Sequence, residues 1–332
     1  MELRLRAAEL VGMIESTDGA DPEDAAARAV FAQELAEVGE RAAMGADASR
    51  AAGLDPITFR EIARDSGTGT NLLEIVPLPS HFSYSSYSTY EACPMRYAFA
   101  YVYKIPEPSR PVGALTFGST AHDTFEAFTK DRRERLARAE EPPTRDDLER
   151  LFRERWVPTG FGDRATEETY QRRVTTLLDN FWDGEVATLG EAIEEERQFE
   201  LVIEAPSGAP PVVVTGSIDR IDRLPSGGVE VIDYKTGKLS SQKGVDESLQ
   251  LSIYALACRD ALGLGTPERV TLYFTESATR LSTTRTDDQL DAARADILAR
   301  TARIRGGDFA ATPSADTCRW CDYARLCPSY AR

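Results

Sequence analysis

Hydrophobic and polar positions alternate most regularly between residues 212 and 237, which read VVVTGSIDRIDRLPSGGVEVIDYKTG. Two β-rich runs, residues 212–224 and 229–235, flank Pro225-Ser226-Gly227. This is the pattern of a hairpin whose three-residue loop ends in a glycine at the left-handed position. With Leu224 opposite Gly228, paired residue numbers sum to a constant. Ile221 then faces Val231, Asp219 faces Asp233 and Ser217 faces Lys235. Side chains alternate along a strand, so Asp219, Asp233 and Lys235 project from one face. Asp222 and Glu230, on the other face, read as the scattered charges of a solvent-facing hairpin.

The rest of the chain reads as helices around such strands. A long helical pattern over residues 113–139 places Phe117, Ala121, His122, Phe125 and Phe128 on one face, with His122 on the buried side. Residues 144–189 continue as helices with apolar sides at Leu148, Leu151, Phe152 and Trp156, then Val174, Leu177, Leu178 and Phe181. A first strand is expected over residues 196–204 and further strands over 270–274 and 281–284. A helix over 246–262 carries Gln250 and Tyr254 four apart on one ridge, beside an apolar ridge of Leu249, Ile253 and Leu256. A closing helix spans 288–304. The fold class is α/β: a central mixed sheet flanked by helices.

Upstream, residues 1–78 read as a helical appendage without candidate chemistry, and residues 79–332 as the main domain. In the appendage Asp21 caps a helix that opens with Pro22, and a short helix spans 56–64. From Ser83 aromatics crowd together, with Ser88 or Thr89 as the cap of a short helix. Most of these rings read as core. Tyr84, Tyr87 and Tyr90, three apart, are a candidate base-stacking surface.

Composition changes this picture little. Of the chain, 42% is hydrophobic and 28% charged, ordinary for a globular protein. No run approaches the ~20 apolar residues that span a bilayer. The N-terminus MELRLRAAELVGMIEST mixes acids with its basic residues and lacks a small-residue cleavage site, so no signal peptide and a cytoplasmic, reducing location are expected. The net charge of −16 weighs against a surface attractive to phosphate all over. Acidic runs such as Glu194-Glu195-Glu196 read as solvated faces. Lysine is confined to positions 104, 130, 235, 238 and 243, three of them at or just beyond the hairpin's end, so the local field there can differ in sign from the net charge.

Two carboxylates facing each other across a ladder repel unless something positive lies between them. A hard divalent cation, Mg²⁺ or Mn²⁺, suits two such acids with water filling the remaining positions, and Lys235 can orient or polarise an attacking water. A second metal signal comes from the cysteines. Cys318-x-x-Cys321 is followed after five residues by Cys327-Pro328, and the group lacks a local fourth thiolate. Cys93, likewise followed by proline, can supply it. Zinc and an iron–sulfur cluster both accept four thiolates, and spacing leaves the choice open, although the absent local partner favours iron–sulfur. Cys258 reads as a small buried side chain. His81, in a loop without a motif, has no assigned role.

These residues resemble the PD-(D/E)XK nuclease superfamily, in particular its RecB-like branch. The resemblance rests on the Gly-x-x-Asp-Arg-Ile-Asp run at Gly216 to Asp222, Asp-Tyr-Lys-Thr-Gly at Asp233 to Gly237, and Gln-x-x-x-Tyr at Gln250 and Tyr254. It implies a restriction-endonuclease-like core, with His122, Asp219 and Asp233 as ligands of Mg²⁺ or Mn²⁺ and Lys235, Gln250 and Tyr254 completing the catalytic set. The cysteine pattern is similar to that of AddB-type and CRISPR-adaptation enzymes, which implies a 4Fe-4S cluster on Cys93, Cys318, Cys321 and Cys327, with zinc the alternative occupant. The expected activity is a metal-dependent deoxyribonuclease working on single-stranded DNA ends in repair or recombination. No Gly-x-x-x-x-Gly-Lys-Ser/Thr loop occurs, and the segment TYEACPMRYAFAYVYKIP resembles nuclease tails of UvrD-type helicases, so a separately encoded helicase partner is expected. Two competing readings are a non-catalytic iron–sulfur DNA-binding or scaffolding module of a helicase–nuclease complex and a zinc-stabilised protein handling RNA or another phosphodiester.

Overall fold

A computed structural model describes residues 78–105, 113–186, 190–206, 208–324, 327 and 329–330. The expected appendage, with its Asp21 cap and the helix over 56–64, lies outside these apart from residue 78. The chain divides between Pro108 and Ser109 and again between Leu298 and Ala299, giving two compact units.

In the first unit, α1 (Tyr84–Ala92) starts at Ser83, whose hydroxyl accepts from the Ser86 backbone while Ser86 reciprocates. The cap is therefore Ser83, and Ser88 and Thr89 lie inside the helix. Cys93 is extended and ends α1, and Pro94, which has no N–H to lose, opens α2 (Pro94–Tyr97). Tyr87 and Tyr90 are at most 1% exposed, and their hydroxyls bond Thr301 Oγ1 at 2.7 Å and Asp308 O at 2.8 Å. Both rings are core, which removes them from any stacking surface.

The second unit holds α3 (Gly113–Ala137), α4 (Arg145–Arg155), α5 (Arg164–Gly184), β1 (Glu191–Ile203), β2 (Val212–Arg223) and β3 (Val229–Lys235). It continues through α6 (Gln242–Asp246), α7 (Leu249–Leu256), β4 (Arg269–Phe274), β5 (Thr279–Thr283) and the start of α8 (Asp287–Arg305). β1 pairs antiparallel with β2 and β2 with β3; β3 pairs parallel with β4, and β4 antiparallel with β5. The parallel pair needs a crossover, which α6 and α7 provide. The helix expected over 246–262 is broken because Ser248 caps α7 afresh, and its end loosens into a π turn at Ala257–Ala261.

One face of the sheet is covered by α3, α4 and α5. Phe117, Phe125, Phe128, Leu148, Phe152, Leu177 and Phe181 pack there with Ile232, Tyr234 and Tyr273, and the Phe125 and Phe181 rings stack at 3.9 Å. Burying each such ring stabilises the fold by roughly 1.5–3 kcal/mol. Toward the other face α7 presents buried Leu251, Ile253 and Leu256, and the Tyr254 ring meets Phe199 of β1 edge-on at 6.2 Å. Gly216 makes room for that ring: a Cβ there would come within 2.7 Å of Phe199.

Asp222 and Glu230 are not solvent-facing. They are 3% and 4% exposed and belong to a buried charge network. Arg220, 1% exposed, binds Asp222, Glu185 at 3.1 Å and the Tyr234 hydroxyl at 2.9 Å. Glu230 accepts from Arg269 at 2.7 Å, Arg280 at 2.8 Å and Thr271 at 2.6 Å, and Arg280 also pairs with Glu185. Each buried charge finds an opposite one, the condition under which such burial is tolerated.

Candidate metal centre and active site

The hairpin has the expected register. Arg220 faces Ile232, Ile221 faces Val231 and Asp222 faces Glu230. Leu224 N–H donates to Gly228 O at 2.9 Å, and Gly227 takes the left-handed conformation at φ +92°. Past Arg220 and Ile232 the ladder opens. The Tyr234 N–H donates instead to the Asp219 carboxylate at 2.7 Å, so a side chain takes over a strand's acceptor role. Side chains from both layers converge at this opening.

Asp233, buried to 2% exposure, is held on three sides. Its Oδ1 accepts from Gln250 Nε2 at 3.0 Å and from the Tyr254 hydroxyl at 2.9 Å. Its Oδ2 lies 2.6 Å from the Lys235 ammonium yet accepts no directed hydrogen bond. Lys235, one-third exposed, donates to Gln250 Oε1 at 3.1 Å. Gln250 thus fixes acid and ammonium together. Burial and the nearby Asp219 charge push the Asp233 carboxyl up, and Lys235 opposes that shift. Burial, with the Asp233 and Asp219 charges, holds the Tyr254 phenol well above its ordinary range, so it remains a donor.

On the other side of Asp219 stands His122, reaching over from α3. Its Nδ1 lies 3.2 Å from Asp219 Oδ2, and the side chain is 28% exposed rather than buried in the helix's apolar stripe. Burial lowers its pKa, but the hydrogen bond to Asp219 and the charges of Asp219 and Asp233 outweigh this and lift it to about 9. Glu196 of β1 completes the cluster. Ligand atoms of His122, Glu196 and Asp219 all lie within 4.8 Å of one another. The Glu196 carboxyl is pushed up, first by burial, although the Ser217 hydroxyl donates to it at 2.7 Å.

Of the residues singled out in the sequence, the structure brings Asp219 beside His122, and Asp233 together with Lys235, Gln250 and Tyr254. Asp233 borders the convergent trio and is not one of its three members. Glu196, read as part of a solvated acidic face, is the residue that was missed. The β1–β2 register, continuous from Glu194 to Ile203, sets Glu196 opposite Asp219, and Glu196 itself takes a left-handed backbone at φ +44°. No local sequence signal marks that pairing or that conformation. One imidazole nitrogen and two carboxylates, with the buried Asp233 carboxylate nearby and its Oδ2 paired to Lys235 at 2.6 Å, form a donor set that fits a hard divalent cation.

The PD-(D/E)XK nuclease superfamily model matches residues 81–328, about three quarters of the chain. The chain belongs to the PD-(D/E)XK nuclease superfamily. Superfamily nucleases are typically metal-dependent hydrolases, in keeping with the donor set of this member. No curated protein matches it. Among solved structures it is similar to the "Putative exonuclease" of Eubacterium rectale, at 13% identity and a TM-score of 0.42, covering 76% of this chain and 90% of that one. It is also similar to the protein SSO0001, at 16% identity and a TM-score of 0.33, covering 67% and 98% of the two chains.

The cysteines of this superfamily member lie in its first unit, where α9 (Ala315–Arg319) carries Cys318. Cys93, Cys318, Cys321 and Cys327 line one cavity with Arg96 and Phe99. All five cysteines are free thiols. Among the described residues no three of these sulfurs gather within 4.8 Å. Burial pushes the Cys321 and Cys327 thiols up, and the other thiols of the group add to the shift. Cys258 lies apart, fully buried, with its thiol raised to about 12. Among the described residues no helix is long and apolar enough to cross a membrane.

Proposed function

We propose that the chain is a divalent-metal-dependent deoxyribonuclease of the RecB-like branch that acts on single-stranded DNA ends. The observation that carries this reading is the meeting of Asp219, Asp233 and Lys235 where the β2–β3 ladder opens, with His122 at 3.2 Å from Asp219. His122, Asp219 and Asp233 would hold Mg²⁺ or Mn²⁺. A cation bound there acidifies a water and offsets the charge that develops on the phosphate. Lys235, anchored by Gln250 and one-third exposed, is placed to orient that water against the scissile phosphodiester. Gln250 and Tyr254 hold Asp233 in one orientation throughout.

The four-thiol cavity supports a 4Fe-4S cluster on Cys93, Cys318, Cys321 and Cys327 as a structural staple. Zinc bonds thiolates at about 2.3 Å, which puts tetrahedral sulfurs about 3.8 Å apart. A 4Fe-4S cluster takes one thiolate at each corner iron, and the lack of a fourth cysteine beside the C-terminal trio favours it over zinc. A UvrD-type helicase is the partner class that the tail-like aromatic segment supports.

Cleavage of end-labelled single-stranded DNA with Mn²⁺ tests the reading. The natural protein is expected to release product, and Asp233→Ala and Lys235→Ala are expected to lose at least about a hundredfold in rate. Equal activity in all three removes the catalytic assignment.

A further inference from the structure

Three consecutive acids on β1 have three different fates. Glu194 lies 3.7 Å from Arg197, and Glu195 pairs with Arg133 at 2.8 Å, so both are matched by a guanidinium. Glu196 instead faces Asp219 and His122. Its backbone takes φ +44°, a left-handed conformation that residues with a β-carbon seldom adopt within a strand. No chain reversal calls for it, since β1 runs on to Ile203. The flanking pairs, Glu195 with Arg220 and Arg197 with Ile218, stay in one register, the shift in β1 lying upstream between Ala192 and Glu194, so Glu196 stands opposite Asp219. The consequence is the direction of one side chain. The carboxylate comes within 4.8 Å of the His122 and Asp219 ligand atoms, and Ser217 Oγ orients it at 2.7 Å.

We infer that Glu196 is a protein ligand of the divalent cation, beside His122, Asp219 and Asp233, and that Ser217 is the positioning residue that aims its carboxylate. The unfavourable backbone conformation falls on the one residue of β1 whose carboxylate meets His122 and Asp219. The inference deepens the proposed nuclease reading and requires only that a cation binds at this site, so it can be tested without substrate.

The experiment is calorimetric titration of the full chain with Mn²⁺, free of DNA, together with thermal melting with and without Mn²⁺. Glu196→Gln is expected to weaken Mn²⁺ binding at least about tenfold. Ser217→Ala should weaken it about threefold, the loss of one orienting hydrogen bond. Glu194→Gln, two residues away and facing elsewhere, should bind as the natural protein does. Glu196→Gly relieves the left-handed backbone, so it should melt no lower than the natural protein without metal while losing most of the Mn²⁺-dependent rise in melting temperature. Unchanged Mn²⁺ affinity in Glu196→Gln, or an undiminished rise in Glu196→Gly, overturns the inference while leaving the nuclease reading intact. Failure of the natural protein itself to bind Mn²⁺ is a separate result that removes the metal centre and the inference with it.

Discussion

Asp233 shows what each neighbour contributes. Tyr254→Phe removes one donor from its Oδ1 and leaves Gln250 in place, so cleavage should fall about tenfold with the melting temperature nearly unchanged. Gln250→Ala removes a donor to Asp233 and the acceptor of Lys235 together, and about a hundredfold loss in kcat is expected. Single-turnover cleavage at saturating Mn²⁺ reads both. Asp219, Asp233 and Lys235 were legible in the sequence because a short glycine-ended loop ties strand numbering to facing positions, and the observed register follows it. Glu196 was not legible. Its place opposite Asp219 depends on the register of β1 against β2 and on a left-handed backbone at Glu196, properties of how two strands fit rather than of the residue itself.

Along the elements, the burial of Arg220 makes a different prediction. Replacing it by Leu leaves Asp222 and Glu185 buried without their guanidinium, which should cost about 3–5 kcal/mol in urea unfolding. Asp233→Ala should unfold at the same urea concentration or higher, because it removes a desolvated carboxylate to which the proposed function gives a chemical rather than a folding role. The contrast would separate the two sets of acids on this sheet, the structural one and the one proposed to be functional. Periodicity located the helices and strands, and it also led to the reading of Asp222 and Glu230 as solvated. Alternation reports which face a residue lies on, but what covers that face is decided by α5 and β5, which bring Glu185 and Arg280 from far along the chain. Cys258, fully buried and with its thiol near 12, should resist iodoacetamide in the native protein and react only on unfolding, as followed by mass spectrometry.

At the scale of the whole molecule, a net charge of −16 means that the proposed binding of DNA would rest on local groups and on a bound cation. The first unit carries its own test. Anaerobically purified protein should be brown, absorbing near roughly 400 nm, and Cys93→Ser should lose that colour and its iron; colourless protein with stoichiometric zinc contradicts the cluster. The central claim is that opposed acids and a lysine at the open end of the hairpin become an active site through a bound dication. The most direct measurement is the initial rate of single-stranded DNA cleavage by the natural protein as Mn²⁺ is titrated into EDTA-treated enzyme. The account predicts no cleavage without the cation and a saturable rise as Mn²⁺ is added; a rate that is the same in EDTA, or no cleavage at any Mn²⁺ concentration, contradicts it.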